Sequence, residues 1–284
     1  MEDEWFIEVH IFNVQNLSLA TISSYGLVIN TFTELESVYL DHLMKDLGHG
    51  RVWSVGPVLL QDDEEDNSSV PSQRGGEILS WLDTCDDNSV VYVCFESQAV
   101  LTNRQMEELA KGLKRSGLKF IWSTKGHVST DHGKIPYGLE DQVAGRGMVI
   151  REWAPQVLIL RHQAVSVFLT HCGWNSILEG LVAGVTMLAW PMGADQFVNA
   201  NLIVDELKVA VRVCEGAKTV PNSEELVGFL AEVVGLEGKG AELKARVSEL
   251  RKAALNGIKG GGSSFENLEE FIKHLGEEAA KIKR

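Results

Sequence analysis

Apolar residues recur along this chain in two rhythms, short continuous runs and helical stripes, and the two alternate. LVI at 27–29 reads as a strand. A helix is expected over 33–47, with Leu35, Val38, Tyr39 and Leu43 on its apolar face. VWSV at 52–55 follows as a second strand, stopped by Gly56-Pro57, and completes one β-α-β unit. The segment 61–76, QDDEEDNSSVPSQRGG, breaks both rhythms. It is acidic, polar and punctuated by Pro and Gly, so it reads as a solvated linker between a region 1–60 and a domain 77–284.

Beyond the linker the alternation becomes regular. VVYVCF at 90–95 is continuously apolar, as in a strand buried on both faces. Thr102 and Gln105 form a capping-box signature, and Met106, Leu109, Ala110 and Leu113 are the core face of the helix it opens. Further strands are expected at 120–123, 148–150, 167–169, 187–189 and 209–213, mostly with helical stretches between them. Repeated β-α units predict a doubly wound parallel sheet, which takes its ligands at the carboxyl ends of its strands. A helical region from about 241 is interrupted by Gly260-Gly261-Gly262, and Ser263 with Glu266 is expected to cap its restart.

Charge narrows the partners. Lys plus Arg number 26 against 40 Asp plus Glu, a net charge of −14. Such a chain repels phosphate backbones and anionic lipid heads, so neither nucleic acid nor a membrane surface is expected as a partner. No apolar stretch reaches the ~18 residues of a membrane span. The start, Met1-Glu2-Asp3-Glu4, lacks the basic end of a signal peptide, so a cytoplasmic location is expected. Cys85, Cys94, Cys172 and Cys214 form no CxxC pair, so metal spacing is absent. Cys94 lies in an apolar run and Cys214 follows one, which suits buried thiols in a reducing compartment.

Candidate chemistry gathers after the strand at 148–150. Trp153, in Trp153-Ala154-Pro155-Gln156, stands where a ligand-facing loop belongs and offers a face for a flat base. The strand ending at Thr170 leads through His171-Cys172-Gly173 into a helix opened by Trp174, Asn175 and Ser176. Strand, glycine turn and helix start make a phosphate site, with N–H groups and the positive end of the helix dipole aimed outward. Glu179 lies one turn on, where a carboxylate suits ribose hydroxyls. Asp195 and Gln196, beyond the next strand and Trp190-Pro191, offer acceptors and donors for a polyhydroxylated ring.

The stretch WAPQVLILRHQAVSVFLTHCGWNSILEGLVAGVTMLAWPMGADQ, residues 153–196, resembles the signature box of plant secondary-product UDP-glycosyltransferases, family 1 glycosyltransferases. The resemblance extends over SYGLVINTF, RVWSVGP, SWLDTC and LTNRQMEELAKGL, and is nearest to the branch that glucosylates flavonols and small phenolics. It implies a GT-B fold in which 77–284 is the UDP-sugar domain and 1–60 the end of the acceptor-binding domain. Trp153 would stack on uracil, with the Ala154 backbone pairing to the base. Gln156 and Glu179 would hold the ribose, and His171, Asn175 and Ser176 the diphosphate. Trp174, Asp195 and Gln196 would hold the sugar. Gln196 at the end of the box points to UDP-glucose as donor, with no metal and no other cofactor.

The implied activity is transfer of a hexose to a hydroxyl of a small phenolic or flavonoid acceptor, with inversion. The alternative is a non-catalytic UDP-sugar-binding or interaction protein derived from that family. A nicotinamide dehydrogenase is disfavoured because no GxGxxG follows a strand. Departures from the family bear on activity. The segment that carries its catalytic His and the orienting Asp has no counterpart in 1–60, and the surroundings of His10 do not match it, so activity of this chain is expected to be impaired. Phe95-Glu96-Ser97 replaces the usual Phe-Gly-Ser near the diphosphate, and Glu152 replaces a Gly. A carboxylate about 5 Å from a phosphate costs about 3 kcal/mol at an effective dielectric of ~20.

Overall fold

The computed structural model describes residues 24–58, 73–95, 100–124, 130–235 and 237–282. The chain divides into two units, Met1–Leu60 with Lys252–Arg284, and Gln61–Arg251.

The larger unit holds a six-stranded sheet built from β3 (Val90–Cys94), β4 (Lys119–Ser123), β5 (Gly147–Ile150), β6 (Val165–Thr170), β7 (Thr186–Ala189) and β8 (Ala210–Arg212). The order is β5-β4-β3-β6-β7-β8 and every pairing is parallel. The chain winds outward from β3 in one direction, then from β6 in the other. The sheet therefore has a switch point between these two strands, where Cys94 pairs with Thr170. Val90, Val91, Tyr92 and Val93 are fully buried, which is why this strand reads as an unbroken apolar run.

Helix α2 (Gln73–Leu82) precedes this sheet; α3 (Asn103–Ser116), α4 (Leu139–Gln142), α5 (Gln156–Arg161), α6 (Trp174–Ala183) and α7 (Gln196–Asn201) lie between its strands, and α8 (Ser223–Val234) and α9 (Gly238–Gly257) follow β8. A π-helical turn, Leu202–Glu206, prolongs α7. The capping box expected at Thr102 is formed: Thr102 Oγ1 accepts from Gln105 N, and Gln105 Oε1 accepts from Thr102 N. Met106, Leu109, Ala110 and Leu113 are all buried. Gly112 lets α3 and α8 approach, because a Cβ there would lie 2.7 Å from Leu226 Cδ2.

The smaller unit pairs β1 (Leu27–Ile29) with β2 (Val52–Ser54) in parallel across the crossover helix α1 (Thr33–Leu47). The C-terminal helix, α10 (Ser263–Ile282), packs on β2. The Trp53 ring lies 5.2 Å from Phe271 and 5.4 Å from His274, and Asn267 Nδ2 donates to Ser54 O and Oγ at 3.0 and 2.9 Å. This packing joins Lys252–Arg284 to the first unit rather than to the domain 77–284 read from the sequence.

Four further expectations need correction. The core face of α1 is Leu35 and Leu40, while Val38 and Tyr39 are exposed. A non-helical Glu36 (φ −135°, ψ 25°) interrupts the helix and resets the phase of its stripe. The linker read as 61–76 is shorter at its C-terminal end, because α2 begins at Gln73; 59–72 lie outside the described residues. Ser263 is the first residue of α10 and its hydroxyl donates to Glu34 Oε2 (3.5 Å). Finally, Cys94 and Cys214 are only half-buried, and Cys172 is the buried cysteine; all four are thiols.

Candidate functional site

Every described residue of the 153–196 segment that carries candidate chemistry lies at the carboxyl ends of β5, β6 and β7. The turn after β6 is the centre. Cys172 takes φ +66°, a left-handed conformation rare for a residue with a side chain, and it folds the strand end sharply into α6. Thr170 Oγ1 supports the turn by accepting from Cys172 N at 3.2 Å. Asn199, buried on α7, braces it from the other side: its Nδ2 donates to Cys172 O at 3.1 Å and to Asp195 Oδ2 at 2.8 Å. Burial also pushes the Cys172 thiol up to about 12, so it stays protonated and chemically inert.

His171 is buried against Gly173. A Cβ on Gly173 would lie 2.4 Å from His171 Nε2, so glycine is the residue that lets the ring pass beneath the turn. Gly173 is also the N-cap of α6 and supplies no side-chain acceptor to the helix. The N–H groups of the first turn have no acceptor within their own helix and point out of its N-terminus. There the helix dipole contributes about half a positive charge, which is what an anion needs. Trp174 and Asn175 open this helix, and Asn175 is exposed.

A hydrogen-bonded group connects α5 to α6. Gln156, the first residue of α5, donates from Nε2 to Glu179 Oε2 at 2.7 Å and to Ser176 Oγ at 3.2 Å. Its Oε1 accepts from the hydroxyl of Tyr92 in β3 at 3.3 Å. Sequence reasoning missed Tyr92, Asn199 and Thr170; the apolar run around Tyr92 hid its hydroxyl. The Ser176 hydroxyl, accepting from Gln156, keeps its own proton to donate. Glu179 keeps Oε1 for further donors.

Trp153 lies in the loop after β5 and is 65% exposed, so an aromatic face is presented to solvent at the mouth of this region. Ala154 beside it is buried, and its carbonyl accepts from Gln156 N at 2.8 Å. At the end of β7, Asp195 is exposed. Gln196 is buried, and its Oε1 bridges Met192 N (2.9 Å) and Gly193 N (3.0 Å). The pair therefore divides its chemistry: Asp195 supplies acceptors, and Gln196 has only its Nε2 left to donate. Trp190, fully buried, packs edge-on to Phe95 with ring centroids 5.2 Å apart and holds the ends of β7 and β3 together. Glu96, Ser97 and His10 lie outside the described residues; Glu152 is exposed in the loop before Trp153.

Between Arg161 and Lys208 the sequence contains no lysine or arginine. The side-chain donors this stretch offers at the turn after β6 are His171, Asn175 and Ser176, beside the backbone N–H groups. Among the described residues, no three His, Cys, Asp or Glu residues are grouped to hold a metal ion.

At the switch point of a doubly wound sheet, where such sheets take their ligands, this chain places a helix N-terminus, a carboxylate and an exposed aromatic face. Comparison with known proteins supplies the class. The family described as UDP-glucoronosyl and UDP-glucosyl transferase matches residues 58–234, and the chain belongs to that family. A flavonol 3-O-glucosyltransferase of Arabidopsis thaliana is 52% identical over 257 residues, 89% of this chain and 53% of that protein. A flavonol 7-O-rhamnosyltransferase of the same plant is 44% identical over 272 residues, 92% of this chain and 61% of that protein. The chain thus spans little more than half the length of these relatives. The solved structure of Arabidopsis thaliana UGT89C1 complexed with UDP-L-rhamnose matches with a TM-score of 0.79 at 44% identity, covering 90% of this chain and 59% of that one. UGT89C1 has also been solved with quercetin. The fold is accordingly α/β of the GT-B type.

Proposed function

We propose that this protein binds a UDP-sugar, UDP-glucose as first choice, and serves transfer of its hexose, with inversion, to a hydroxyl of a small phenolic or flavonoid acceptor. The observation that carries the reading is the Gln156–Glu179–Ser176 group at the start of α6. It sets an acceptor for ribose hydroxyls one helical turn from donors for a diphosphate. In this reading Trp153 stacks on uracil and the Ala154 backbone pairs with it. Gln156 and Glu179 hold the ribose. His171, Asn175, Ser176 and the first N–H groups of α6 hold the diphosphate, with Ser97 alongside. Trp174, Asp195 and Gln196 hold the sugar.

The chemistry assigned to these residues is stabilisation of the departing UDP. As the bond from the anomeric carbon to the diphosphate oxygen breaks, charge grows on that oxygen, and donors already aimed at it lower the barrier. The acceptor oxygen must lose its proton to a base, and none of these residues is assigned that role. General-base help contributes about 10²–10⁴-fold and approximation of the acceptor more. The 284-residue chain alone is therefore expected to show little acceptor-dependent transfer. A non-catalytic UDP-sugar-binding protein is the second reading, favoured by Glu96 standing where the family's resemblance calls for glycine. A cytoplasmic location is part of the proposal. Among the described residues no helix is long and apolar enough to cross a membrane.

Calorimetric titration with UDP, in magnesium and in chelator, tests the donor site: binding is expected in both, and a strict need for magnesium refutes the metal-free reading. Mass spectrometry of the product after incubation with UDP-glucose and quercetin tests transfer. Acceptor-dependent release of UDP separates the enzyme from the non-catalytic reading.

A further inference from the structure

We propose that Tyr92 is a positioning residue of the donor site, acting through Gln156 to fix Glu179 for the ribose hydroxyls. This inference rests on the UDP-sugar reading above and deepens it.

The argument starts from the direction of the Gln156 amide. A carboxylate only accepts hydrogen bonds, so the group 2.7 Å from Glu179 Oε2 has to be the amide nitrogen. That leaves Oε1 facing the Tyr92 hydroxyl at 3.3 Å, and the phenol has to donate. With Ser176 Oγ accepting the second amide proton at 3.2 Å, all the donors of this amide are committed, and its orientation is fixed at three points. Tyr92 is fully buried in β3 and its ring stacks on Phe168 of β6, centroids 5.2 Å apart. Its hydroxyl is therefore held in place by packing within the two strands that flank the switch point. Burial holds the phenol well above its ordinary range, so it remains a donor wherever the protein is folded.

Without this donor the amide keeps the direction that Glu179 imposes but loses the anchor on its oxygen side. Gln156 is then free to shift, and Glu179, which it holds, is less firmly placed for the ribose. The consequence is specific. Contacts with uracil at Trp153, and those of the diphosphate with His171, Asn175 and the N–H groups of α6, do not pass through the Gln156 amide; of the diphosphate residues only Ser176 accepts from it. The ribose should feel the change most. A purely structural role for a buried tyrosine would weaken all parts of the ligand alike.

The test is calorimetric titration of the 284-residue chain and its Tyr92→Phe variant with UDP, 2′-deoxy-UDP and 3′-deoxy-UDP. Wild type should prefer UDP over at least one deoxy nucleotide. Tyr92→Phe should reduce that preference about three- to tenfold, the range expected for one hydrogen bond, with the affinity for the disfavoured nucleotide unchanged. Equal loss for all three nucleotides, or no loss, overturns the proposal. Wild type that fails to bind UDP overturns the donor-site reading itself, so the two failures are distinct. Thermal melting monitors folding. Should Tyr92→Phe not fold, 4-aminophenylalanine at position 92, a weaker donor in the same place, is titrated instead: a reduced preference for UDP over the deoxy nucleotides supports the proposal, and a uniform loss refutes it. Gln156→Met removes a ribose contact as well and should lose more discrimination than Tyr92→Phe; adding Tyr92→Phe to it should cost no further discrimination, because Tyr92 acts through Gln156.

Discussion

Replacing Gly173 by alanine tests the phosphate turn with one methyl group. The backbone at Gly173 (φ −63°, ψ 143°) is open to any residue, so the substitution introduces no torsional strain. The effect is steric. The new Cβ would lie 2.4 Å from His171 Nε2 and 3.1 Å from Cε1, whereas ordinary contact begins at 3.4 Å. The ring must therefore move by about 1 Å (3.4 − 2.4). His171 is buried just past the end of β6 and cannot simply swing into solvent. A displacement of that size exceeds the ~0.5 Å range over which an N–H···O bond keeps its strength. Losing one charge-assisted bond to a phosphate costs about 1.5–3 kcal/mol, which is about 10- to 150-fold in affinity. Stability should fall too, by about 1–3 kcal/mol, since a buried ring is displaced and alanine is a poorer N-cap; that loss is common to both ligands. The assay is titration with UDP and with uridine, beside a denaturant melt. UDP should lose at least tenfold and uridine little, because uridine carries no phosphate. UDP affinity within twofold of wild type, or equal loss for uridine, would refute the placement of His171 at the diphosphate.

Three further outcomes are expected. The Cys172 thiol, raised by burial from 9.0 to about 12, keeps its proton in the folded state while the unfolded chain loses it, so stability should fall as pH rises between about 9 and 12. The slope is at most about 1.4 kcal/mol per pH unit, and urea melts of Cys172→Ala across that window should lack it. Asn199→Ala should cost about 1–3 kcal/mol of stability by leaving the buried Cys172 carbonyl unmet. It should also weaken UDP-glucose more than UDP because Asp195 loses its brace, and paired titrations with a melt check both. Glu96→Gly should tighten UDP by about tenfold or more if, as the family resemblance implies, position 96 borders the diphosphate, where a carboxylate repels it; equal affinity in both forms would refute that implication.

What was legible in the sequence follows from how local each cause is. The capping box at Thr102 and the buried run of β3 rest on neighbours within four residues, and both formed as the pattern implies. The candidate residues that the structure describes fall at strand ends because β-α alternation dictates it. The failures are non-local. Tyr92 meets Gln156 across 64 positions, and an apolar run gives no sign of where one hydroxyl points. Gln196 was read as a side chain offering both donor and acceptor; its own loop takes the acceptor through the N–H groups of Met192 and Gly193. The stripe on α1 was misphased because a single non-helical residue, Glu36, shifts every position after it. Assigning α10 to the second domain followed sequence order, whereas Trp53, Ser54 and Gly56 of the first unit are what it packs on.

The proposed diphosphate site of this acidic protein leads to a last expectation. With a net charge of −14 and no lysine or arginine between Arg161 and Lys208, long-range electrostatics oppose a diphosphate instead of drawing it in. What attracts it is short-ranged: helix N–H groups, the dipole of α6, and the side chains of His171, Asn175 and Ser176. Added salt screens charges beyond a Debye length of ~10 Å at 0.1 M, but it barely touches hydrogen bonds made at ~3 Å. Raising ionic strength should therefore relieve the repulsion and leave the attraction intact. UDP affinity is expected to stay level or rise slightly when sodium chloride is increased from about 50 to about 500 mM, with choline chloride giving the same result. A site built on lysines or arginines would behave in the opposite sense, losing affinity steadily as counterions compete. A fall of tenfold or more over this range would mean that a basic side chain from elsewhere in the chain reaches the phosphates, and that the helix terminus is not the principal source of binding.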